Sequence, residues 1–325
     1  MSKPTQPTLP SDTSVVPKAW YAIAWSSECK EKPIKRKVAN IDFVLFRNKE
    51  GQIQAVQAYC SHRGADLSTG KVINGCVQCP YHGWEFSGDG RCRKIPAHPE
   101  RDIPDFAHIQ SFPVQEKAGM IWIYPDSSTK APDLHLFPIL EEPQFVYSPY
   151  QMVWKAHLTR VVESVLDVAH LAFVHKQTIG KGLSPEINDL SFQAEKDDIH
   201  FQKGTNRFHY RFPNQWIQYL GKNETKMFTF ATFTPLDHET TVIFSQIGRT
   251  FAKRVPFIGK YLSHFGLRVL KEDQLIVEGQ HPRPIPEALR MEAHVPSDGV
   301  QVRFRHRWYQ FLKNETEHLL VRGSE

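Results

Sequence analysis

Two short segments constrain this chain more than any other feature: Cys60-Ser61-His62-Arg63-Gly64 and Cys79-Pro80-Tyr81-His82-Gly83-Trp84. Each offers one thiol and one imidazole, and sixteen residues separate His62 from Cys79. Thiolate and imidazole are ligands of iron and zinc. Two such pairs make one four-ligand site only if two similar loops of a small domain meet. A zinc site usually draws its ligands as a cysteine pair and a histidine pair. Here each pair is mixed, which suits a [2Fe–2S] cluster with two cysteines on one iron and two histidines on the other.

The surroundings agree with a small β unit. From Trp20 to about Asp126 short β-rich runs such as WYAIAW, FVLFR and GMIWIYP alternate with turns at Asn48–Gly51 and Ser87–Gly90. This predicts an antiparallel domain over residues 17–126, preceded by a flexible Pro/Ser/Thr-rich arm over 1–16. Residues 127–146 carry three prolines and read as a linker, leaving 147–325 as a second domain. Cys29, Cys76 and Cys92 read as small buried thiols. Gly88-Asp89-Gly90 reads as a hairpin turn, since no third glycine follows as a dinucleotide site needs. With no nicotinamide or flavin fingerprint in the chain, electrons for any redox chemistry have to come from a partner protein.

In the second domain the periodicity predicts a helix over 157–175, with Val161, Val162, Val165 and Leu166 on its apolar side. Glu163, Asp167 and His170 would share one face of it. On an ideal helix His175 lies about 140° from His170, so the two can meet at one metal only if the helix widens or ends between them. Alternating runs between about 190 and 250 predict antiparallel strands, and helices are predicted at 257–280 and 299–320. In the last, Phe304, Trp308, Phe311 and Leu312 form an apolar stripe. Two histidines and one carboxylate make a facial triad that leaves iron open to other ligands. Downstream carboxylates that could complete it are Asp237, Glu272, Asp273 and Glu278, with Asp237 in a sequence context that suits a strand-connecting turn.

Taken together, C-x-H-R-G, C-P-Y-H-G-W and then D-x2-H-x4-H resemble the α subunit of the Rieske non-haem iron oxygenases, in that family's order and across both domains. The resemblance implies an α+β architecture: an N-terminal antiparallel β Rieske domain, then a helix-grip (START-like) catalytic domain with an antiparallel sheet and covering helices. It implies a [2Fe–2S] cluster on Cys60, His62, Cys79 and His82, and a mononuclear Fe(II) on His170, His175 and Asp273, with Glu272 as a solvated neighbour. Asp167 would link His170 to the cluster histidine of a neighbouring subunit in a homotrimer. The partners implied are a ferredoxin or flavin reductase fed by NAD(P)H, O2 and a small organic substrate, which would be hydroxylated or oxidatively demethylated. Alternatives are a ring-hydroxylating dioxygenase giving cis-diols and an electron carrier whose second domain is only structural. The 325-residue length and the His294-Val-Pro-Ser-Asp298 segment are similar to compact monooxygenases of the saxitoxin-pathway hydroxylase and vanillate O-demethylase type. Ser164 departs from the asparagine that many relatives carry there.

Composition bounds the remaining classes. Hydrophobic residues at 40% and charged residues at 23% suit a globular chain. The formal charge of +5 is spread evenly, which gives no argument for nucleic acid. No apolar stretch approaches the length of a membrane span and no signal sequence is visible, so a cytoplasmic protein is expected. The basic run Lys32–Lys37 reads as a solvated turn and edge strand.

Overall fold

The computed structural model describes residues 15–221, 226–282 and 291–322. The arm expected over residues 1–16 therefore lies almost wholly outside the described residues. The chain divides into two compact units, Lys18–Glu142 and Pro143–Glu325, the second joined by the residues up to Pro17.

The first unit is built from three small antiparallel sheets. β1 (Tyr21–Trp25), β10 (Met120–Ile123) and β9 (Val114–Lys117) form one, and β2 (Ile34–Val38), β3 (Ile41–Arg47) and β4 (Ile53–Gln57) the second. β5 (Lys71–Ile73), β6 (Cys76–Gln78), β7 (Glu85–Phe86) and β8 (Cys92–Lys94) form the third. Strands this short cannot bury a wide face, so the unit relies on two compact cores. One gathers Tyr21, Phe43, Leu45, Phe112 and Ile123, the other Val44, Phe46, Val77, Trp84 and Phe86, so β3 feeds both by alternation. Cys29 and Cys92 are buried in these cores and Cys76 is half-buried. The basic run falls on the edge strand β2, where Lys35 meets Asp66 at 3.1 Å and Arg36 meets Glu28 at 2.7 Å. The stretch expected to link the domains holds a 3-10 turn at Pro138–Glu141, with Leu134, Phe137 and Leu140 buried.

The second unit carries a seven-stranded antiparallel sheet in the order β11-β17-β16-β15-β14-β13-β12. Its strands are β11 (Val146–Trp154), β12 (Leu190–Glu195), β13 (Asp198–Lys203), β14 (Asn206–Arg211), β15 (Gln215–Tyr219), β16 (Met227–Pro235) and β17 (Thr241–Arg249). Only the first is out of sequence order: β11 pairs with β17, which brings Trp154 opposite Thr241. Asp237 lies in the turn between β16 and β17, where its Oδ1 accepts the Glu239 N–H. One sheet face, with Tyr150, Phe201, Tyr210, Phe233 and Ile247, buries against helices.

Those helices are α1 (Leu158–Leu166), α2 (Leu171–Val174), α3 (Pro256–Val277) and a long helix, Gly299–Arg322. The long helix contributes the stripe Phe304, Trp308, Phe311 and Leu312, each side chain worth about 1.5–3 kcal/mol when fully buried. α3 lies close on the sheet because Gly266 faces the ring of Tyr150; a β-carbon there would fall 2.4 Å from Tyr150 Cζ. Among the described residues no helix is long and apolar enough to cross a membrane.

Candidate active site

The two Cys/His segments fold as matching loops. Cys60 O accepts the Gly64 N–H and Cys60 N–H donates to Ala65 O; Cys79 O accepts the Gly83 N–H and Cys79 N–H donates to Trp84 O. Each loop therefore closes over four residues on a glycine with positive φ, +68° at Gly64 and +72° at Gly83, a conformation other residues adopt only with strain. The closure places both thiols inside and both imidazoles outside: Cys60 and Cys79 are buried, His62 and His82 exposed.

The two thiols are neighbours, Cys79 helping to raise Cys60, and the imidazole centroids lie 4.6 Å apart. His62 also stacks on Trp84 at 4.7 Å, with planes 2° apart. Burial pushes the Cys60 thiol up, against the backbone N–H groups of His62 and Arg63 that favour the thiolate. Among the described residues, the groups with three or more ligand atoms within 4.8 Å of one another do not include these four. A single tetrahedral ion needs all its ligands that close. Paired thiols at one end and paired imidazoles at the other fit a two-iron cluster instead.

The second set comes from three elements. The helix expected over 157–175 is broken at 167–169, because Asp167 leaves helical geometry (φ −84°, ψ 134°) and its Oδ1 accepts the Ala169 N–H. That side-chain turn competes with the helix for the same backbone donors. His170 and His175 then flank the one-turn α2, as its N-cap and C-cap, and the helix ends at Val174 just before His175. Their rings come to 5.1 Å. The expected shared face of Glu163, Asp167 and His170 is corrected accordingly. Glu163 stays on α1 and turns inward, while Asp167 reaches His170 around the turn.

α3 supplies the carboxylates. His175 Nε2 lies 2.9 Å and His170 Nε2 3.4 Å from the same atom, Asp273 Oδ1. The opposite nitrogens are held separately: His170 Nδ1 is 3.4 Å from Asp167 Oδ2, and His175 Nδ1 is 2.8 Å from Glu272 Oε2. Burial alone would favour neutral imidazoles, but hydrogen bonds to these carboxylates outweigh it, so His170 is raised to about 9 and His175 is raised too. Against the same burial, Asp167 and Asp273 are held below the usual carboxylate range. His170, His175 and Asp273 each bring one ligand atom within 4.8 Å of the others. Two Nε2 atoms and one carboxylate oxygen facing one point fit an octahedral Fe(II) with open positions.

Buried charge fixes the end of α1. Arg160 Nη1 donates to Glu163 Oε2 at 3.0 Å and Arg305 Nε donates to Glu163 Oε1. Glu292 accepts from both arginines, at 2.5 and 2.6 Å. Two guanidinium groups and two carboxylates thus balance in a place where an unpaired charge would be costly. Asp167 begins one turn beyond, its N–H donating to Glu163 O.

Two family models divide the chain as the two sites do. The Rieske [2Fe-2S] domain matches residues 19–113, and the vanillate O-demethylase oxygenase C-terminal domain matches segments 154–208 and 202–314. The chain belongs to the Rieske non-haem iron oxygenases. The chlorophyllide a oxygenase of Oryza sativa is 29% identical over 94% of this chain and 58% of its own length. The methylxanthine N1-demethylase NdmA of Pseudomonas putida is 27% identical over 90% of this chain and 88% of its own. A solved structure of an NdmA variant with caffeine superposes with a TM-score of 0.82 at 25% identity, covering 92% of each chain. This Rieske oxygenase chain spans only about half to three-fifths of the chlorophyllide a oxygenases it matches.

Within the Rieske oxygenase frame, Glu272 requires a correction. It is not a solvated neighbour of Asp273: its side chain is 21% exposed and its Oε2 accepts from His175 Nδ1 and from Thr178 Oγ1 at 2.5 Å. The adjacent acidic pair Glu272-Asp273 serves both sides of one imidazole. The sequence signal was the acidic pair itself, but nothing in it pointed to Thr178.

Proposed function

We propose that this chain is the terminal oxygenase component of a system in which a reductase or ferredoxin partner supplies electrons drawn from NAD(P)H, and that it hydroxylates or oxidatively demethylates a small organic substrate with O2. The convergence of His170 Nε2 and His175 Nε2 on Asp273 Oδ1, with a separate carboxylate on each Nδ1, carries the reading. Cys60, Cys79, His62 and His82 would hold the [2Fe–2S] cluster and His170, His175 and Asp273 the Fe(II); when bound, these groups supply stored electrons and O2 activation.

The residues around them set protonation and orientation. Asp167 and Glu272 each keep a proton on Nδ1 of their histidine, which fixes the tautomer that leaves Nε2 as the donor lone pair. A polar cavity of about 260 Å³ opens beside Asp167 and is lined also by Glu163, His294 and Arg305. We take that opening as the approach for the cluster histidine of a neighbouring subunit, in a homotrimer. The names of the relatives, which include N-demethylases and O-demethylases, support small heteroatom-methylated compounds as a substrate class.

The test is a metal count on the His170→Ala/His175→Ala variant. Loss of one iron per chain with the cluster absorption intact is expected, and a variant that keeps all its iron refutes the second site. Asp167→Asn should retain both centres yet fail to oxidise the reduced cluster in a single turnover with substrate and O2.

A further inference from the structure

A second set of metal-type ligands lies on the sheet, outside the triad. The hairpin of β13 and β14 sends Ile199, Phe201, Phe208 and Tyr210 into the core, which leaves Asp198, His200, His209 and Arg211 on the other face. His200 and His209 are direct cross-strand partners, and their rings lie 3.8 Å apart at 30°. Asp198, two residues before His200, brings Oδ1 to 2.5 Å from His209 Nε2. One ligand atom from each of the three lies within 4.8 Å of the other two.

The polar face of a strand accounts for polar residues here but not for this pairing. Two imidazoles stacked across a ladder repel when protonated, and like charges directly opposite destabilise a sheet. Burial and the neighbouring His200 together hold His209 below its ordinary value despite Asp198.

We propose that Asp198, His200 and His209 form a surface site for a borderline divalent cation, with Zn²⁺ the ion of choice. Two imidazoles and one carboxylate suit Zn²⁺, Ni²⁺ or Cu²⁺, whereas Mg²⁺ and Ca²⁺ want oxygen alone. The ligands stand on paired strands with six register positions between them, so the backbone is already ordered before an ion arrives. The ion would replace the hydrogen bond between His209 Nε2 and Asp198 Oδ1, whose proton is released to solvent. Arg211 Nε, 3.1 Å from the same oxygen, opposes it electrostatically and makes the site exchangeable rather than permanent. An occupied site would clip the hairpin between two strands near the sheet's β12 edge.

The experiment titrates the iron-loaded protein with Zn²⁺ alone against a colorimetric zinc chelator. One Zn²⁺ per chain beyond the iron content is expected. His200→Ala and His209→Ala should each weaken that binding by about 100-fold, since losing a ligand should cost at least the upper end of what losing an outer hydrogen-bond partner costs. Arg211→Ala should tighten it, which a non-specific surface effect would not do. His170→Ala/His175→Ala should leave it unchanged. The cluster absorption and far-ultraviolet circular dichroism verify that each variant is folded, and the exposed His200 also allows His200→Gln should His209→Ala fail to fold. Absence of the extra Zn²⁺, retention of it in both His200 variants, or its loss in His170→Ala/His175→Ala overturns the proposal.

Discussion

Glu272 offers the sharpest test of how the triad is held. Removing it takes from His175 the carboxylate on its Nδ1 side and leaves Thr178 Oγ1 without that acceptor, while Asp273 one residue on is untouched. Losing a carboxylate that orients a metal-bound imidazole costs about 10- to 100-fold in affinity, or roughly 1.4–2.7 kcal/mol. Glu272 is 21% exposed and Arg268 lies 3.6 Å away, itself 59% exposed, so part of its charge is already screened. Glu272→Gln keeps an acceptor oxygen and should fall near the lower bound, at about tenfold. Glu272→Ala loses both bonds and should approach about 100-fold. Anaerobic equilibrium competition for Fe(II) against a ferrous chelator measures this, with the cluster spectrum as the control for folding. A Glu272→Ala variant that holds Fe(II) as tightly as the parent would refute the reasoning. Thr178→Val, which spares the His175 contact, should lie between parent and Glu272→Gln.

Three further outcomes concern stability. Glu163→Ala leaves the buried Arg160 and Arg305 short of a counter-charge and should destabilise the second unit by about 3–5 kcal/mol in urea unfolding; a loss below about 1 kcal/mol would contradict the network. Burial opposes the charged form of Glu292, but Arg160 and Arg305 outweigh it and hold its carboxyl below the ordinary value of 4.5. Its contribution is therefore complete above that value and is lost as pH falls through the lower folded-state value, so melting curves of parent and Glu292→Gln should converge in acid and separate toward neutrality. Gly266→Ala should cost about 1–3 kcal/mol by forcing α3 away from Tyr150, and should also weaken iron retention, because Asp273 sits two turns along the same helix. Unchanged thermal stability would show that the helix accommodates the methyl group.

The sequence showed most clearly what short-range chemistry dictates. The Cys/His loops are legible because ligand, spacing and glycine all lie within five residues, and the stripe from Phe304 to Leu312 because helical periodicity alone places it. The spacing of His170 and His175 required an interruption; the structure ends α2 just before His175 and adds a break at 167–169 that came from a side-chain turn no periodicity reveals. The roles of Glu272 and Asp273 depend on the rotation of α3 about its axis, which the docking of Gly266 on Tyr150 sets. The Arg160–Glu163–Arg305–Glu292 network joins residues more than a hundred positions apart, and single-sequence patterns do not reach that far. Cross-strand pairing of His200 with His209 likewise depends on register, a property of two strands together.

His170 and His175 precede the seven-stranded sheet's remaining strands in the chain, and Asp273 follows them all. The contact between them is therefore the knot that ties off everything in between. Roughly 100 residues are enclosed by it, and closing a loop of that length carries an entropic cost that grows only slowly with length. In the folded unit the completed triad goes together with β12 to β17 in their order and α3 seated on the sheet. Occupancy of that site by iron would then be a record of completed folding: a chain stalled with a faulty sheet would carry a coloured cluster and an iron deficit.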